Sequence, residues 1–125
     1  MAVQMTLDLN DYWTREAFER KIRQQMDAVT AATDPDIPTL VVFPEDVGLM
    51  LVVQGMEERL AGIDSIGEAI EAVIRAHTVP LLWTRLIRWK GWVPALLLNK
   101  NQLIAETYFE VFSAAARDYG VYLVA

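Results

Sequence analysis

The chain has 125 residues, of which 54% are hydrophobic, so its length and composition suit one domain with a packed core and exclude a disordered tail. Seventeen acidic side chains against eleven basic ones give a net charge of −6, which argues against a protein that follows the phosphates of nucleic acid. The chain has no cysteine, which excludes disulfides, thiolate metal sites and a cysteine nucleophile within these residues.

The first eleven residues contain neither a basic start nor a long apolar segment. No uncharged run approaches the roughly 18 residues that a membrane-spanning helix needs. These features predict a soluble, cytoplasmic protein. Because neither repeats nor linker-like compositions divide the chain, residues 1–125 form one domain or part of one.

The first half of the chain predicts a strand, a helix and a second strand. Residues 3–5 fit a short first strand, and a helix starts at Thr14, because apolar residues then recur every three or four positions. That stripe consists of Phe18, Ile22, Met26 and Val29. Two prolines in residues 33–38 end the helix, and the apolar run that starts at Leu40 predicts a buried strand.

The second half predicts two further helices and a last strand, while residues 49–53 fit either a helix or a strand. Ser65 and Glu68 form a capping box for a helix that runs to about His77. A longer helix is expected over residues 101–117, capped by Asn99 or Asn101. Gly120 stops this helix, and residues 121–125 read as another buried strand.

The order strand, helix, strand, helices, strand indicates an α/β fold with a mainly parallel sheet. In such sheets, ligands bind beyond the carboxyl ends of the strands. Glu45 follows Phe43 and Pro44 at the end of the strand that begins at Leu40. Its carboxylate is interpreted either as a solvated helix cap or as a general base whose charged form is disfavoured by apolar surroundings.

Several segments together carry a family resemblance. They are Val3-Gln4-Met5, Glu16-Ala17-Phe18 with Lys21-Ile22, Leu40-Val41-Val42-Phe43-Pro44-Glu45, and the run from Ala116 to Val124. In these segments the chain resembles the amino-terminal part of the nitrilase superfamily, the carbon–nitrogen hydrolases, whereas residues 48–100 match loosely. The resemblance implies part of an αββα sandwich, a β-α-β-α-α-β portion.

The resemblance also implies a mechanism. A cysteine attacks a nitrile or amide carbon, a glutamate moves protons and a lysine steadies the tetrahedral intermediate. Glu45 matches the glutamate. By the family's order the lysine and the cysteine lie beyond the strand near Gly120, so Lys90 and Lys100 do not take the lysine's role.

Without a nucleophile, proton transfer by Glu45 has nothing to activate, so the chain is expected to be an inactive fragment of a larger enzyme. In its complete form that enzyme acts on a small amide or nitrile, and the resemblance favours a homo-oligomer. The alternative is a non-catalytic binding or assembly module.

A divergent Trp- and Arg-rich insertion is expected at about residues 78–100, bracketed by Pro80 and Pro94. Its residues include Arg85, Arg88, Trp83, Trp89 and Trp92. It is interpreted as a segment that packs on its own domain, walls the cleft or contacts a subunit, because tryptophan and arginine are favoured at protein interfaces. An interfacial anchor at an anionic membrane is the other interpretation, and a docking segment is the role it takes in a binding module.

Three further residues could suggest ligand chemistry. His77 follows an apolar helix face, which is more typical of a hydrogen-bonded core residue than of a ligand. Asp34 and Asp36 lie between prolines and fit turn formers, because a calcium or magnesium site needs more oxygen ligands than this loop offers. The sequence therefore predicts neither a metal nor a cofactor.

Overall fold

The computed structural model describes residues 1–63, 65–77, 82 and 91–125. Its elements are α1 (Arg15–Ala31), β1 (Leu40–Val42), α2 (Glu57–Leu60), α3 (Ile66–Ala76), α4 (Trp92–Tyr119) and β2 (Tyr122–Val124), with 3₁₀ helices at Leu9–Tyr12 and Leu49–Val53. The described residues are mostly helical and include one two-stranded sheet. The coarse α/β prediction is therefore compatible with the structure, whereas an αββα sandwich is not confirmed.

Helix α1 forms as its sequence predicts. Thr14 is its N-cap, and the Thr14 hydroxyl accepts a hydrogen bond of 3.1 Å from the amide of Ala17. The apolar stripe of α1 is buried in the core, with Phe18 and Ile22 at 0% exposure. The helix packs against α4, and both helices contribute buried side chains to the core.

The sheet is parallel, as the order of the elements predicts. Leu40 pairs with Tyr122, and Val42 pairs with Val124. The first strand is misplaced in the prediction, because the pairing beside β1 occurs at residues 1–3 rather than 3–5. Ala2 forms a single parallel bridge with Val42, after which the chain leaves the sheet and its apolar residues pack against the core as an extended segment.

One face of this sheet carries exposed apolar side chains. Val41 is fully buried, whereas Leu40 and Val42 point to the opposite face because side chains alternate along a strand. Tyr122 and Val124 extend that face in β2 and are 71% and 53% exposed. The expectation that both strands are buried is therefore wrong for one face, since the helices among the described residues pack on the other.

The later helices confirm one predicted boundary and correct another. The Ser65 hydroxyl accepts from the amide of Glu68 at 3.2 Å, which starts α3 as expected. Helix α4 begins after Gly91, about nine residues before the predicted start, and neither predicted asparagine caps it. Pro94 lies in the first turn, where an amide hydrogen has no partner inside the helix, so this proline does not interrupt α4.

The carboxyl end of α4 follows its sequence signal. Gly120 adopts a left-handed conformation with φ of 64°, which a residue without Cβ reaches without strain. Its amide donates back to the carbonyl of Arg117. The chain then turns directly into β2, so this glycine sets the point at which the last strand joins the sheet.

The two aspartates of the proline-containing loop are turn formers. The Asp34 carboxylate accepts a hydrogen bond of 3.0 Å from the amide of Asp36, and the Asp34 carbonyl accepts one from Ile37. His77 ends α3 and is half-buried, with its Nδ1 atom 3.0 Å from the carbonyl of Val73. This arrangement agrees with a hydrogen-bonded histidine at the edge of the core.

The expected Trp- and Arg-rich insertion falls largely outside the described residues. Residues 78–81 and 83–90 lie outside the described residues. The proposed membrane or subunit contact of this insertion lies outside them as well. Residues 92–100 form the first turns of α4, so Pro94 does not bound a separate unit.

Candidate functional site

Glu45 lies in the loop that follows the carboxyl end of β1. The amide of Phe43 donates to the carbonyl of Val124 at 2.8 Å, which continues the pairing of the strands up to this loop. The loop then turns tightly, because the amide of Val47 donates to the Pro44 carbonyl at 3.2 Å. Glu45 is therefore presented at the edge of the sheet where ligands bind in α/β folds, as its sequence position predicts.

The side chain of Glu45 is exposed. Phe43 is buried and Pro44 is half-buried, so the apolar residues before the glutamate pack inward while the carboxylate faces solvent. The expected burial of Glu45 in an apolar environment is therefore not observed. A general-base role for this residue requires another surface to cover it.

A cleft of about 670 Å³ opens between this loop and α4. Its lining residues are Glu45, Asp46, Gly48, Leu49, Leu97, Asn101, Ile104 and Tyr108. The volume lies within the range of about 300–1,000 Å³ that is typical of small-molecule sites. Carboxylates lie on the loop side and apolar side chains line much of the helix, so the cleft combines a charged end with an apolar wall.

Two buried contacts hold the loop in place, and the first involves Tyr12. The Tyr12 hydroxyl donates a hydrogen bond of 2.9 Å to the carbonyl of Val47. Its ring stacks on Phe18 of α1 with centroids 5.6 Å apart. Burial, followed by the negative charges of Asp46 and Asp11, raises the pKa of Tyr12, so the hydroxyl keeps its proton and remains a donor.

The second contact joins Gly48 to α4. A Cβ atom at Gly48 would lie 2.5 Å from Cδ2 and 2.7 Å from Cε2 of Tyr108, so glycine is required for the loop to approach the aromatic ring. The Tyr108 ring also packs against Phe112, with centroids 4.7 Å apart. Burial raises the pKa of Tyr108, which keeps its hydroxyl neutral at the wall of the cleft.

Comparisons of the chain with protein-family models, with curated proteins and with solved structures find no match. A relationship to carbon–nitrogen hydrolases is therefore a proposal from short sequence motifs, above all the segment that ends at Glu45.

The sequence pattern does not identify several residues of this cleft as site residues. Tyr108 belongs to the apolar stripe of a helix, and Asn101 resembles a cap, so both indicate packing or helix termini. A signal is nonetheless present, because Asn101, Ile104 and Tyr108 are separated by three and four residues and so share one helix face. Only the contact with Gly48 shows that this face meets the loop of Glu45.

A second cleft, of about 550 Å³, lies beside α2 and the end of α3. Glu57, Arg59, His77 and Lys100 are among its lining residues. Burial lowers the pKa of Lys100, because the charged ammonium loses hydration there. This lysine lines a different cleft from Glu45.

Within the described ranges, no group of three or more histidine, cysteine, aspartate or glutamate residues is placed to hold a metal ion. Among the helices of the described chain, none combines the length and the apolarity that crossing a bilayer requires.

Proposed function

We propose that these residues form the amino-terminal part of a carbon–nitrogen hydrolase domain, which in complete form hydrolyses a small amide or nitrile and assembles as a homo-oligomer. Glu45 acts as its general base. The observation that carries this proposal is the position of Glu45 beyond the carboxyl end of a parallel strand, at the mouth of a cleft of ligand size.

The exposed sheet face supports the same proposal. Leu40, Val42, Tyr122 and Val124 present apolar surface on the side of the sheet opposite the core. In a sandwich of two sheets, such a face packs against a second sheet about 10 Å away. The described residues then correspond to one helix–sheet layer, and the second layer would cover this face.

The chemistry assigned to Glu45 is transfer of a proton between a thiol, the substrate and water. General acid–base catalysis of this kind contributes about 10²- to 10⁴-fold to a rate, provided that a nucleophile is present. The 125 residues contain no cysteine, so the chain by itself is expected to be inactive. In the complete domain, a cover over the loop would exclude bulk water from the space around Glu45.

The test begins with the coding sequence downstream of codon 125. A continuing frame that contains a lysine and then a cysteine at strand ends supports the enzyme, and ammonia release from a panel of amides and nitriles then measures its activity. A stop at this codon, together with cooperative unfolding of the 125-residue product, would instead support a non-catalytic binding module.

The role of Glu45 is tested in the complete chain by Glu45→Gln, which retains the shape and removes the base. We expect turnover to fall by about 10²-fold or more, since no other group replaces the proton transfer. Asp36→Asn is the matched control, because it removes one negative charge from an exposed loop away from the cleft. Normal turnover of Glu45→Gln in a correctly folded protein would reject the assignment.

A further inference from the structure

The cleft beside Glu45 combines features that select a particular class of ligand. Leu49, Leu97 and Ile104 supply apolar surface on both the loop and the helix. The half-buried ring of Tyr108 adds an aromatic surface. A ligand that fills this space must therefore carry an apolar body, because polar groups would lose hydration against these walls without gaining partners.

The charged end of the cleft selects a cation. Glu45 and Asp46 are adjacent and exposed, and neither has an ion-pair partner among the described residues. Among the described residues, the lining of this cleft contains no lysine or arginine, so they supply no positive charge that balances the two carboxylates. The net charge of −6 adds to the negative potential, which attracts cations and disfavours carboxylates and phosphates.

Two polar groups on α4 complete the lining. Asn101 is exposed at the cleft and can accept or donate a hydrogen bond. The Tyr108 hydroxyl makes no hydrogen bond within the described part of the chain, and its ring can attract a cation through its π-system. The apolar wall, the carboxylates and these polar groups therefore surround one space.

We infer that this cleft binds an organic ammonium ion with an apolar body, such as an alkyl- or arylalkylamine, with Glu45 and Asp46 as its counter-ions. That the ammonium compound is a substrate, an amide or nitrile that also carries an amine, rests on the proposed function, whereas binding of the cation does not.

The experiment measures binding to the 125-residue protein by NMR titration. The probes are 2-phenylethylammonium, the neutral 2-phenylethanol of similar size, and phenylacetate. We expect the NMR signals of Leu49 and Ile104 to shift on binding. For each carboxylate that faces the ammonium group, the cation should bind about two- to fivefold more tightly than the alcohol. Phenylacetate should bind most weakly, and added salt should reduce the advantage of the cation.

Charge variants test the role of Asp46 as a counter-ion. Asp46→Asn should weaken binding of the cation by about two- to fivefold and leave binding of the alcohol unchanged. Asp36→Asn removes the same charge from a distant loop and should leave the affinity for both probes unaltered. Both aspartates are exposed, so neither change is expected to disturb folding.

Three results would overturn the inference: no shifts at the cleft, equal affinity for the cation and the alcohol, or equal effects of Asp46→Asn and Asp36→Asn. Failure of the proposed function gives a different result, because the cation would still bind at the cleft while the complete chain releases no ammonia from any amide or nitrile.

Discussion

The hydrogen bond from Tyr12 to Val47 provides the sharpest test of how the loop of Glu45 is held. Tyr12→Phe removes one oxygen atom and keeps the ring, which is 4% exposed and stacked on Phe18. The buried Val47 carbonyl then lacks the donor that lies 2.9 Å away in the native protein. An acceptor left unsatisfied in this way costs about 1–3 kcal/mol of unfolding free energy.

Chemical denaturation at neutral pH measures this cost, provided that unfolding is two-state. A loss of 1 kcal/mol corresponds to a fall of about 4 °C in Tm for a domain of this size. Tyr122→Phe is the matched control, because its hydroxyl is at an exposed position and its loss should change stability by less than about 0.5 kcal/mol. Equal stability of the two variants would contradict the buried contact with Val47.

The difference in stability between wild type and Tyr12→Phe also depends on pH, and the raised pKa of Tyr12 sets the sign of that dependence. The folded protein raises the pKa of Tyr12 above its unfolded value of 10.0, so the stabilisation is fully present below pH 10. Above that pH the unfolded chain loses this proton first, and stability falls by about 1.4 kcal/mol per pH unit until the folded group titrates as well. The stability gap between wild type and Tyr12→Phe should therefore narrow above pH 10; a constant gap would refute this linkage.

Two further substitutions test local features of the fold. Gly48→Ala should destabilise the protein by about 1–3 kcal/mol and weaken binding of every cleft ligand, because the added methyl group overlaps the ring of Tyr108. Chemical denaturation measures the loss of stability, and titration with the probes measures the loss of binding. Unchanged stability would mean that the Tyr108 ring moves freely. Thr14→Ala should lower the free energy of unfolding by about 1 kcal/mol in chemical denaturation, because the first turn of α1 loses its side-chain acceptor. Thr14→Ser keeps a hydroxyl and should retain most of that stability. Equal stability of the two variants would exclude the cap.

Local sequence signals predicted the elements whose cause is itself local. The apolar stripe from Phe18 to Val29 and the cap at Thr14 define α1, and Gly120 defines the end of α4. The predicted start of α4 is too late because Asn99 and Asn101 resemble N-caps, whereas the helix extends back through Pro94 to Trp92. In the first turn of a helix a proline is tolerated, so the same residue fits either a boundary or a continuing helix.

The exposure of the sheet could not be predicted in the same way. An apolar run such as the one containing Leu40, Val41 and Val42 fits a strand that is buried on both faces. Whether both faces are in fact covered depends on which elements pack there, and that arrangement is set by contacts between distant parts of the chain. The pairing of β1 with β2 brings Val42 beside Val124, and it leaves the same side of both strands exposed.

The cleft likewise depends on distant contacts. Tyr12 anchors the loop from one side, and Gly48 joins it to Tyr108 from the other, although neither pair is close in sequence. These contacts are present in the 125 residues, whereas a thiol nucleophile is not. The ligand binding proposed for the cleft and the catalysis proposed for Glu45 are therefore separable. Binding can be measured on this chain, whereas the proposed turnover requires a nucleophile that these residues lack, so each proposal can fail while the other stands.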